Sequence, residues 1–264
     1  MIWGKLLGAV FGFLLFNIPG AILGLWLGSR FDSGVTINNF GFAPNQQQAQ
    51  LSFFNNLFKV MGHIAKADGQ VSSNEIEMAK AVMSHMRLNE QRRQTAIEHF
   101  NLGKQPEFDL ATALEELKRD CGLDRNLMQM FLEIQISASF ADGTLGTPER
   151  SILEHLAQQL GFNSTHLNLL INSVQAQHRF HQQQGQHSQQ ASQTTLKDAY
   201  QALSVSSEAS DKDVKRAYRK MMSQHHPDKL AAKGLPDDML EVAKEKTQEI
   251  QAAWEMIRKD RNIR

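Results

Sequence analysis

The chain has 264 residues, with 28 basic and 28 acidic side chains, so its formal net charge is +0. This balance and a charged fraction of 21% give no overall attraction to nucleic acid, which is not expected as a partner. The one cysteine, Cys121, excludes an intrachain disulfide and a cysteine-based zinc module within the chain. Proline is scarce while Leu, Ala, Gln and Glu are common, so the composition favours an all-α fold.

The first predicted element is a transmembrane helix. Residues 6–27 contain no charged side chain, and about 20 apolar residues suffice to cross a bilayer core of about 30 Å. Lys5 and Arg30 lie on either side. A cleavable signal peptide is the alternative, but its apolar part usually has about 7–15 residues, and no small-x-small cleavage site precedes Asp32. We therefore predict a single-pass span over residues 6–28 that contacts membrane lipid.

Within and beside this span, glycines recur at every fourth position over two stretches. Such spacing places small residues on one slowly rotating stripe, which allows two helix backbones to approach closely. Glycine is also simply frequent in membrane helices. We expect the stripe to support a homodimer through the transmembrane helix. Its members are Gly4, Gly8, Gly12, Gly20, Gly24 and Gly28.

Two polar stretches flank a predicted domain at residues 51–177. Residues 29–50 carry Gly, Pro, Asn and Gln without helical periodicity and are predicted to be a tether. Residues 178–195 are rich in Gln, Ser and His and have almost no apolar side chains, so we predict a linker. Its histidines are interpreted as part of a solvated polar segment rather than a metal site. They are His178, His181 and His187.

The predicted domain contains an internal repeat, with one copy at about residues 57–100 and the other at about 131–174. The copies align Asp68-Gly69 with Asp142-Gly143. In each copy the apolar spacing predicts a helix, an Asp-Gly turn, a second helix, a short break and a third helix. A further helix near 109–119 joins the copies. The product is an all-helical bundle with approximate two-fold internal symmetry.

The Asp-Gly turns raise the question of a metal site. Asp-Gly followed by a hydrophobic residue and then glutamate matches the second half of a calcium-binding EF-hand loop. The first half is missing, since its ligand positions hold Ile64 and Lys66 in one copy and Ala138 and Phe140 in the other. Calcium needs six to eight oxygen ligands, so we interpret these residues as helix–helix turns and predict no metal site.

The paired Ala-Asp-Gly motifs resemble the helical domain of the TerB (tellurite-resistance) family. Cation binding by acidic residues has been suspected in that family, so the resemblance keeps a cation role open for four side chains. They are Asp68, Glu75, Asp142 and Glu149.

Residues 196–264 are predicted to form a second unit. A basic amphipathic helix begins near Asp211 and is stopped by Pro227, because the residue before a proline avoids helical dihedrals. A long helix runs from about 237 to 259, and Lys246 lies on its packing face with its aliphatic stem available for contact. Two antiparallel helices are thus joined by a loop that contains His226-Pro227-Asp228.

This pattern resembles the J domain of DnaJ-type co-chaperones, over residues 196–264. The loop tripeptide and the basic helix before it carry the resemblance. Two departures are visible: Ser204 stands where many J domains have glycine, and His225 replaces the usual aromatic residue before the tripeptide. With the span, the TerB-like bundle and the linker, the whole order is similar to the family of membrane-anchored DnaJ-like co-chaperones of Gram-negative bacteria.

The resemblance implies recognition rather than chemistry. The domain would bind a DnaK-type ATPase and stimulate its ATP hydrolysis, with no cofactor of its own. The basic helix would steer the encounter, and the tripeptide would make the contact, with its proline holding the loop rigid. The implied partner-binding residues are His226, Pro227, Asp228, Lys212, Lys215, Arg216, Arg219, Lys220 and Lys229.

The flanking charges do not decide the orientation of the span, because Lys5 and the amino terminus oppose only Arg30. The implied partner is cytoplasmic, which puts residues 32–264 in the cytoplasm and residues 1–5 in the periplasm of the inner membrane. The sequence lacks the cysteine-rich zinc module and the Gly/Phe-rich segment of general-purpose DnaJ proteins, so we expect a restricted set of membrane-proximal clients. The family resemblance implies a link to envelope stress or capsule signalling.

Three other interpretations apply to parts of the sequence. In the first, the tripeptide is merely a turn that ends a helix. In the second, His226 is catalytic beside Ser223 or His225, but no third orienting group and no pocket is evident in the sequence, so an enzyme is not expected. In the third, the bundle is the main functional unit, and the protein is a membrane scaffold or a cation-responsive adaptor.

Overall fold

The computed structural model describes most of the chain after the predicted tether. The described residues are 46–67, 69, 73–140, 145–183 and 189–263. In this part of the chain, no helix has both the length and the apolar character needed to cross a membrane. The predicted span at 6–28 and its glycine stripe lie outside the described residues, as does the tether up to residue 45.

Every regular element in the described ranges is helical, which confirms the predicted all-α class. The helices are α1 (Gln46–Ala65), α2 (Ser73–His85), α3 (Glu90–Gly103), α4 (Leu110–Cys121), α5 (Arg125–Ser139), α6 (Thr147–Gln159), α7 (Ser164–Gln183), α8 (Gln189–Ala202), α9 (Asp211–Gln224), α10 (Pro227–Ala231) and α11 (Leu240–Asp260). The first repeat copy corresponds to α1–α3 and the second to α5–α7, with α4 between them.

The two polar stretches are more helical than their composition indicated. α1 begins at Gln46, inside the predicted tether, and Ala49 is already buried in the core. α7 continues to Gln183 and α8 begins at Gln189, so helix covers most of the predicted 178–195 linker. The reason is that glutamine and alanine are good helix formers, and a helix can extend from a packed end without burying the added turns.

Helix α1 is the central element of the bundle. It packs against α3, α4, α5 and α6, and its Phe53, Leu57 and Phe58 are fully buried. α3 approaches it very closely, because a Cβ added at Gly62 or Gly103 would lie only 2.0 or 1.8 Å from a carbonyl oxygen of the facing helix. The bundle is therefore packed backbone to backbone along this pair of helices.

Cys121 lies at the end of α4, buried under the first turn of α1. Its thiol donates a hydrogen bond to the carbonyl of Ala49 at 3.3 Å. Burial raises the pKa of the Cys121 thiol to about 12. The side chain is therefore a protonated core residue at neutral pH.

The C-terminal region has a core of its own, in which α8 and α9 pack against α11. Tyr218 stacks on Trp254 with ring centroids 5.0 Å apart. Arg261 closes the end of this core by donating hydrogen bonds to the hydroxyl of Tyr200 and the carbonyl of Ala209. The chain between α9 and α11 departs from this arrangement, since its apolar side chains belong to the core of the bundle.

Candidate partner-binding site

The predicted tripeptide lies where the chain passes from α9 into α10. It was predicted to be part of a loop, but His226 is the N-cap of α10 and Pro227 and Asp228 form the first turn of that helix. α9 is capped at its start by Ser210, whose hydroxyl accepts from the Asp213 amide at 3.2 Å. It ends at Gln224, and the amide of His225 still donates to the Met221 carbonyl at 3.0 Å. Pro227 then opens the short helix α10, a position where its fixed φ and missing N–H cost nothing.

His226 and Asp228 both face solvent. The His226 side chain is 47% exposed and the Asp228 side chain 92% exposed. His226 Nδ1 accepts a hydrogen bond from the Asp228 amide at 3.2 Å, and the same nitrogen lies 4.0 Å from Asp228 Oδ2. The imidazole thus caps α10, so its orientation is fixed relative to the backbone of that helix. The capping role and the exposure are compatible, and the arrangement presents both groups on one short loop.

The predicted basic residues lie together on α9, and four of the five are exposed. The opposite side of the helix is apolar, and its Val214 and Met221 are buried. Arg216 pairs with Asp213 at 2.8 Å, and the other cations keep the face positive. Lys215 is half-buried. The exposed members are Lys212, Arg216, Arg219 and Lys220.

The neighbours that an enzyme would require have other roles. Ser223 Oγ accepts a hydrogen bond from Lys229 Nζ at 2.6 Å. His225 is 1% exposed and faces the interior, where its Nε2 lies 3.6 Å from Glu133 Oε1. The Ser223 hydroxyl is thus engaged by Lys229, and His225 is buried in the bundle.

The cation candidates are placed only in part. Asp68 and Asp142 lie outside the described residues, as does the side chain of Glu75. The carboxylate of Glu149 accepts a hydrogen bond from the Gly146 amide at 2.8 Å and so caps α6. In the part of the chain that the structure describes, no group of three histidine, cysteine or carboxylate side chains is arranged to hold a metal ion. A cation role for these residues stays a prediction.

Sequence reasoning did not find the anchors on either side of the tripeptide. His225 enters the bundle before it, and Leu230 enters after it, 1% exposed. Gly234 has φ +103°, and a Cβ there would lie 2.7 Å from the Cβ of Ala49 on α1. The unusual histidine at 225 was the one available indication, since a polar side chain replaced an aromatic one at a buried position.

A buried polar cluster underlies the tripeptide. Glu133 on α5 is 5% exposed and its Oε2 lies 3.2 Å from Lys246 Nζ of α11. Gln129 donates to the other oxygen of Glu133 at 2.8 Å, and Lys246 donates to Gln177 Oε1 at 2.5 Å. Lys246 was predicted to pack through its stem; its ammonium group in addition joins α11 to α5 and α7.

The charges of this cluster follow from its surroundings. Burial lowers the pKa of His225, and nearby Lys246 lowers it further, against the opposing influence of Glu133. Burial would raise the pKa of Glu133, but the protonated form of His225, Lys246 and the hydrogen bond from Gln129 outweigh it, so that this pKa is lowered. At neutral pH His225 is therefore uncharged, and the Glu133 carboxylate is held by Lys246 and Gln129.

Comparison with known proteins places these features in one family. The family model of tellurite resistance protein TerB matches residues 55–172, the DnaJ domain model matches 198–264, and the model of the co-chaperone DjlA transmembrane domain matches 1–43. No solved structure matches the chain.

Curated relatives named co-chaperone protein DjlA match along the whole chain. The relative from Vibrio parahaemolyticus is 46% identical over 98% of this chain and 98% of its own. The one from Vibrio cholerae is 45% identical over 100% of this chain and 99% of its own. The one from Shewanella oneidensis is 43% identical over 99% of each chain. The chain therefore belongs to the DjlA family of membrane-anchored co-chaperones.

Proposed function

We propose that the protein recruits a DnaK-type chaperone through its J domain and stimulates the ATPase of that partner. The observation that carries this proposal is the exposure of His226 and Asp228 on a loop that directly follows the exposed basic face of α9. A cationic helix beside a rigid polar loop suits an acidic protein surface. Attraction between opposite charges speeds the encounter, and short-range contacts with the loop then select the correct partner.

The proposed division of labour leaves the chemistry to the partner. The residues that steer are those of the α9 face, and the residues that make contact are His226, Pro227, Asp228 and Lys229. ATP hydrolysis belongs to the chaperone, so this chain acts as a regulatory protein and not as an enzyme. Its clients are proposed to be a restricted set near the membrane.

Steady-state ATP turnover by DnaK tests the proposal, with the full chain in detergent micelles as the stimulating partner. The full chain is required because Leu230, Leu235 and Met239 would be exposed in a J-domain fragment. Asp228→Asn should abolish the stimulation without changing thermal stability, since the side chain is almost fully exposed.

A matched control changes another exposed aspartate, Asp260→Asn at the end of α11, and should stimulate like the parent. A parent chain that leaves DnaK turnover unchanged, or an Asp228→Asn chain as active as the parent, would refute the proposal.

We further propose a single-pass topology with residues 32–264 in the cytoplasm and a homodimer formed by the six-glycine stripe. The orientation is proposed from the partner alone, because a DnaK-type chaperone is cytoplasmic and the J domain must reach it. Gly8→Leu combined with Gly24→Leu should weaken self-association in a bilayer reporter assay, because leucine keeps the two backbones apart. Ala9→Leu with Ala21→Leu is the control off the stripe, and equal association of both pairs would contradict the dimer.

A further inference from the structure

The tripeptide loop is attached to the TerB-like bundle and not only to its own domain. Several side chains within residues 225–246 contact the bundle, and we name this set of contacts the docking seam. His225 before the tripeptide and Leu230 after it are both buried, whereas His226 and Asp228 between them are exposed. Two buried anchors five residues apart leave the intervening loop little freedom.

The first half of the docking seam is apolar. Leu230, Leu235 and Met239 are at most 1% exposed and form one continuous core with the side chains of the bundle. Gly234 allows the loop backbone to touch α1, since its added Cβ would clash with Ala49. The carbonyl of Leu235 accepts a hydrogen bond from Gln50 Nε2 of α1 at 3.3 Å. These contacts set how deep the loop sits on the bundle.

The second half of the docking seam is charged. Arg92 of α3 holds Asp238 with two contacts, at 2.8 and 2.7 Å. More exposed pairs lie around it, and they join Lys233 to Asp124 at 3.2 Å, Arg87 to Glu241 at 3.4 Å, and His85 to Glu245. Screened surface pairs of this kind contribute little free energy each.

The ion pair between Glu133 and Lys246 differs from these surface pairs because it is buried. A buried ion pair adds little net stability, since desolvation offsets the attraction, but removing one partner leaves the other charge uncompensated. The Glu133–Lys246 contact therefore discriminates strongly between the observed position of α11 and any shifted one. His225 is buried beside the same carboxylate, with its Nε2 3.6 Å from Glu133 Oε1, so the residue before the loop packs against this cluster as well.

The docking seam leaves the partner-binding groups accessible. Asp228 is 92% exposed and the basic face of α9 is turned to solvent while the loop is docked. An inhibitory contact would cover these groups. The arrangement instead suits a platform that holds the loop in one conformation before the partner arrives, which reduces the ordering cost of binding.

We propose that the TerB-like bundle is a positioning platform for the J domain, with Glu133 as the positioning residue that fixes the His226–Asp228 loop through His225 and Lys246. This rests on the proposed stimulation of a DnaK-type chaperone. Glu133 does not contact the partner. It sets the fraction of encounters in which the loop is correctly placed, so it governs maximal stimulation and not the encounter itself.

The test measures DnaK turnover against concentration of the full chain, for the parent and Glu133→Gln. The maximal stimulation should fall about tenfold, because small misplacements of a contact group are costly. The half-saturating concentration and its dependence on salt should stay unchanged, since the α9 face is intact. Glu154→Gln, an exposed partner of Arg150 on α6, is the matched control and should behave like the parent.

Amide hydrogen exchange gives a second readout that needs no chaperone. In Glu133→Gln the amides of Leu230 and Leu235, which donate to the carbonyls of His226 and Leu230, should exchange faster. The amide of Leu114 in α4 should not change. Adding Lys246→Met to Glu133→Gln removes both buried charges and should restore stimulation to within about twofold of the parent.

The outcomes separate the two proposals. A parent chain without stimulation refutes the DnaK proposal and this inference with it. If the parent stimulates, an unchanged or increased maximum in Glu133→Gln overturns the platform alone, and so do unchanged exchange rates. Should Glu133→Gln fail to fold, Gly234→Ala disturbs the other half of the docking seam. A normal maximum in that chain would overturn the platform, and a reduced one would support it.

Discussion

The two sides of the J domain use charge in opposite ways. The basic face of α9 carries exposed cations that are mostly available to a partner, whereas the docking seam pairs Arg92, Lys233 and Lys246 with carboxylates. Long-range attraction requires uncompensated charge of one sign, and accurate placement requires short-range pairs that are satisfied. One small domain can thus separate the encounter with a partner from the positioning of its contact groups by assigning them to different faces.

Among the predicted effects on the docking seam, the largest is expected from substitution of its glycine. Gly234→Ala combines a left-handed backbone with a steric clash against Ala49, so the free energy of unfolding should fall by about 3 kcal/mol. Gly161→Ala is the matched control, because Gly161 has φ +82° and open space around it. It should cost only about 1 kcal/mol. Denaturant titration of both chains measures the difference, and equal losses would show that the contact with α1 contributes nothing.

Substitutions on the basic face of α9 should change the salt dependence of DnaK stimulation and leave the free energy of unfolding unchanged. Arg216→Gln with Lys220→Gln should raise the half-saturating concentration for DnaK stimulation about tenfold at low ionic strength. The difference should shrink toward parity near 0.5 M salt, where the Debye length is only about 4 Å. Arg258→Gln with Lys259→Gln at the end of α11 removes the same charge elsewhere. If that control pair has the same effect, steering is not localised to α9.

The pH dependence of stability should distinguish the docking seam from the rest of the chain. The pKa of His225 is lowered in the folded protein by burial, so the unfolded chain takes up a proton that the folded chain resists. The contribution of His225 to the free energy of unfolding is therefore fully present above pH 6.5, the pKa of a histidine in the unfolded chain, and it decreases as the pH falls below that value. Glu133, Lys246 and Glu249 are the charged groups that modify its titration.

Substitution His225→Phe is needed to isolate this contribution. Three other histidines have pKa values lowered by burial, so they also make stability decrease as the pH falls. They are His63, His99 and His166. Between pH 7.5 and 5.5 the free energy of unfolding should fall less in His225→Phe than in the parent. Parallel decreases in the two chains would mean that His225 is not held uncharged by the docking seam.

The smallest expected effect is at Ser204, which adopts φ +52° after α8. The left-handed region is unfavourable for a serine and open to glycine, which explains why many J domains have glycine here. Ser204→Gly should raise the free energy of unfolding by about 0.5 kcal/mol. Ser207→Gly nearby, without a positive φ, should lower it slightly; a gain at both positions would point to an effect unrelated to the backbone.

The helices whose apolar residues recur at helical spacing could be predicted from the sequence. The three-helix pattern of each copy and the apolar stripe of α9 follow from helical spacing, and the tripeptide was found because proline interrupts a basic helix. The polar stretches were predicted poorly, because composition indicates where a core cannot form but not where a helix such as α7 extends beyond one.

The docking seam could not be predicted, for a different reason. Leu230, Leu235 and Met239 lie in a short helix and turns without a regular period, so nothing local assigns them to a distant core. Glu133 lies in a stretch of α5 that is otherwise uncharged, and only the fold brings it to Lys246. Tertiary contacts between separately recognisable domains are set by matching surfaces, which no single motif encodes.

Cys121 gives the molecule a built-in reporter. The thiol rests on the Ala49 carbonyl, and Ala49 is the residue that Gly234 approaches. Because the sulfur is buried, a modifying reagent can react with it only when this part of the bundle opens, and the chain has no second cysteine to obscure the reaction. The labelling rate of the unaltered protein would then report openings of the bundle at the point where Gly234 contacts α1, with no fluorophore or engineered residue required.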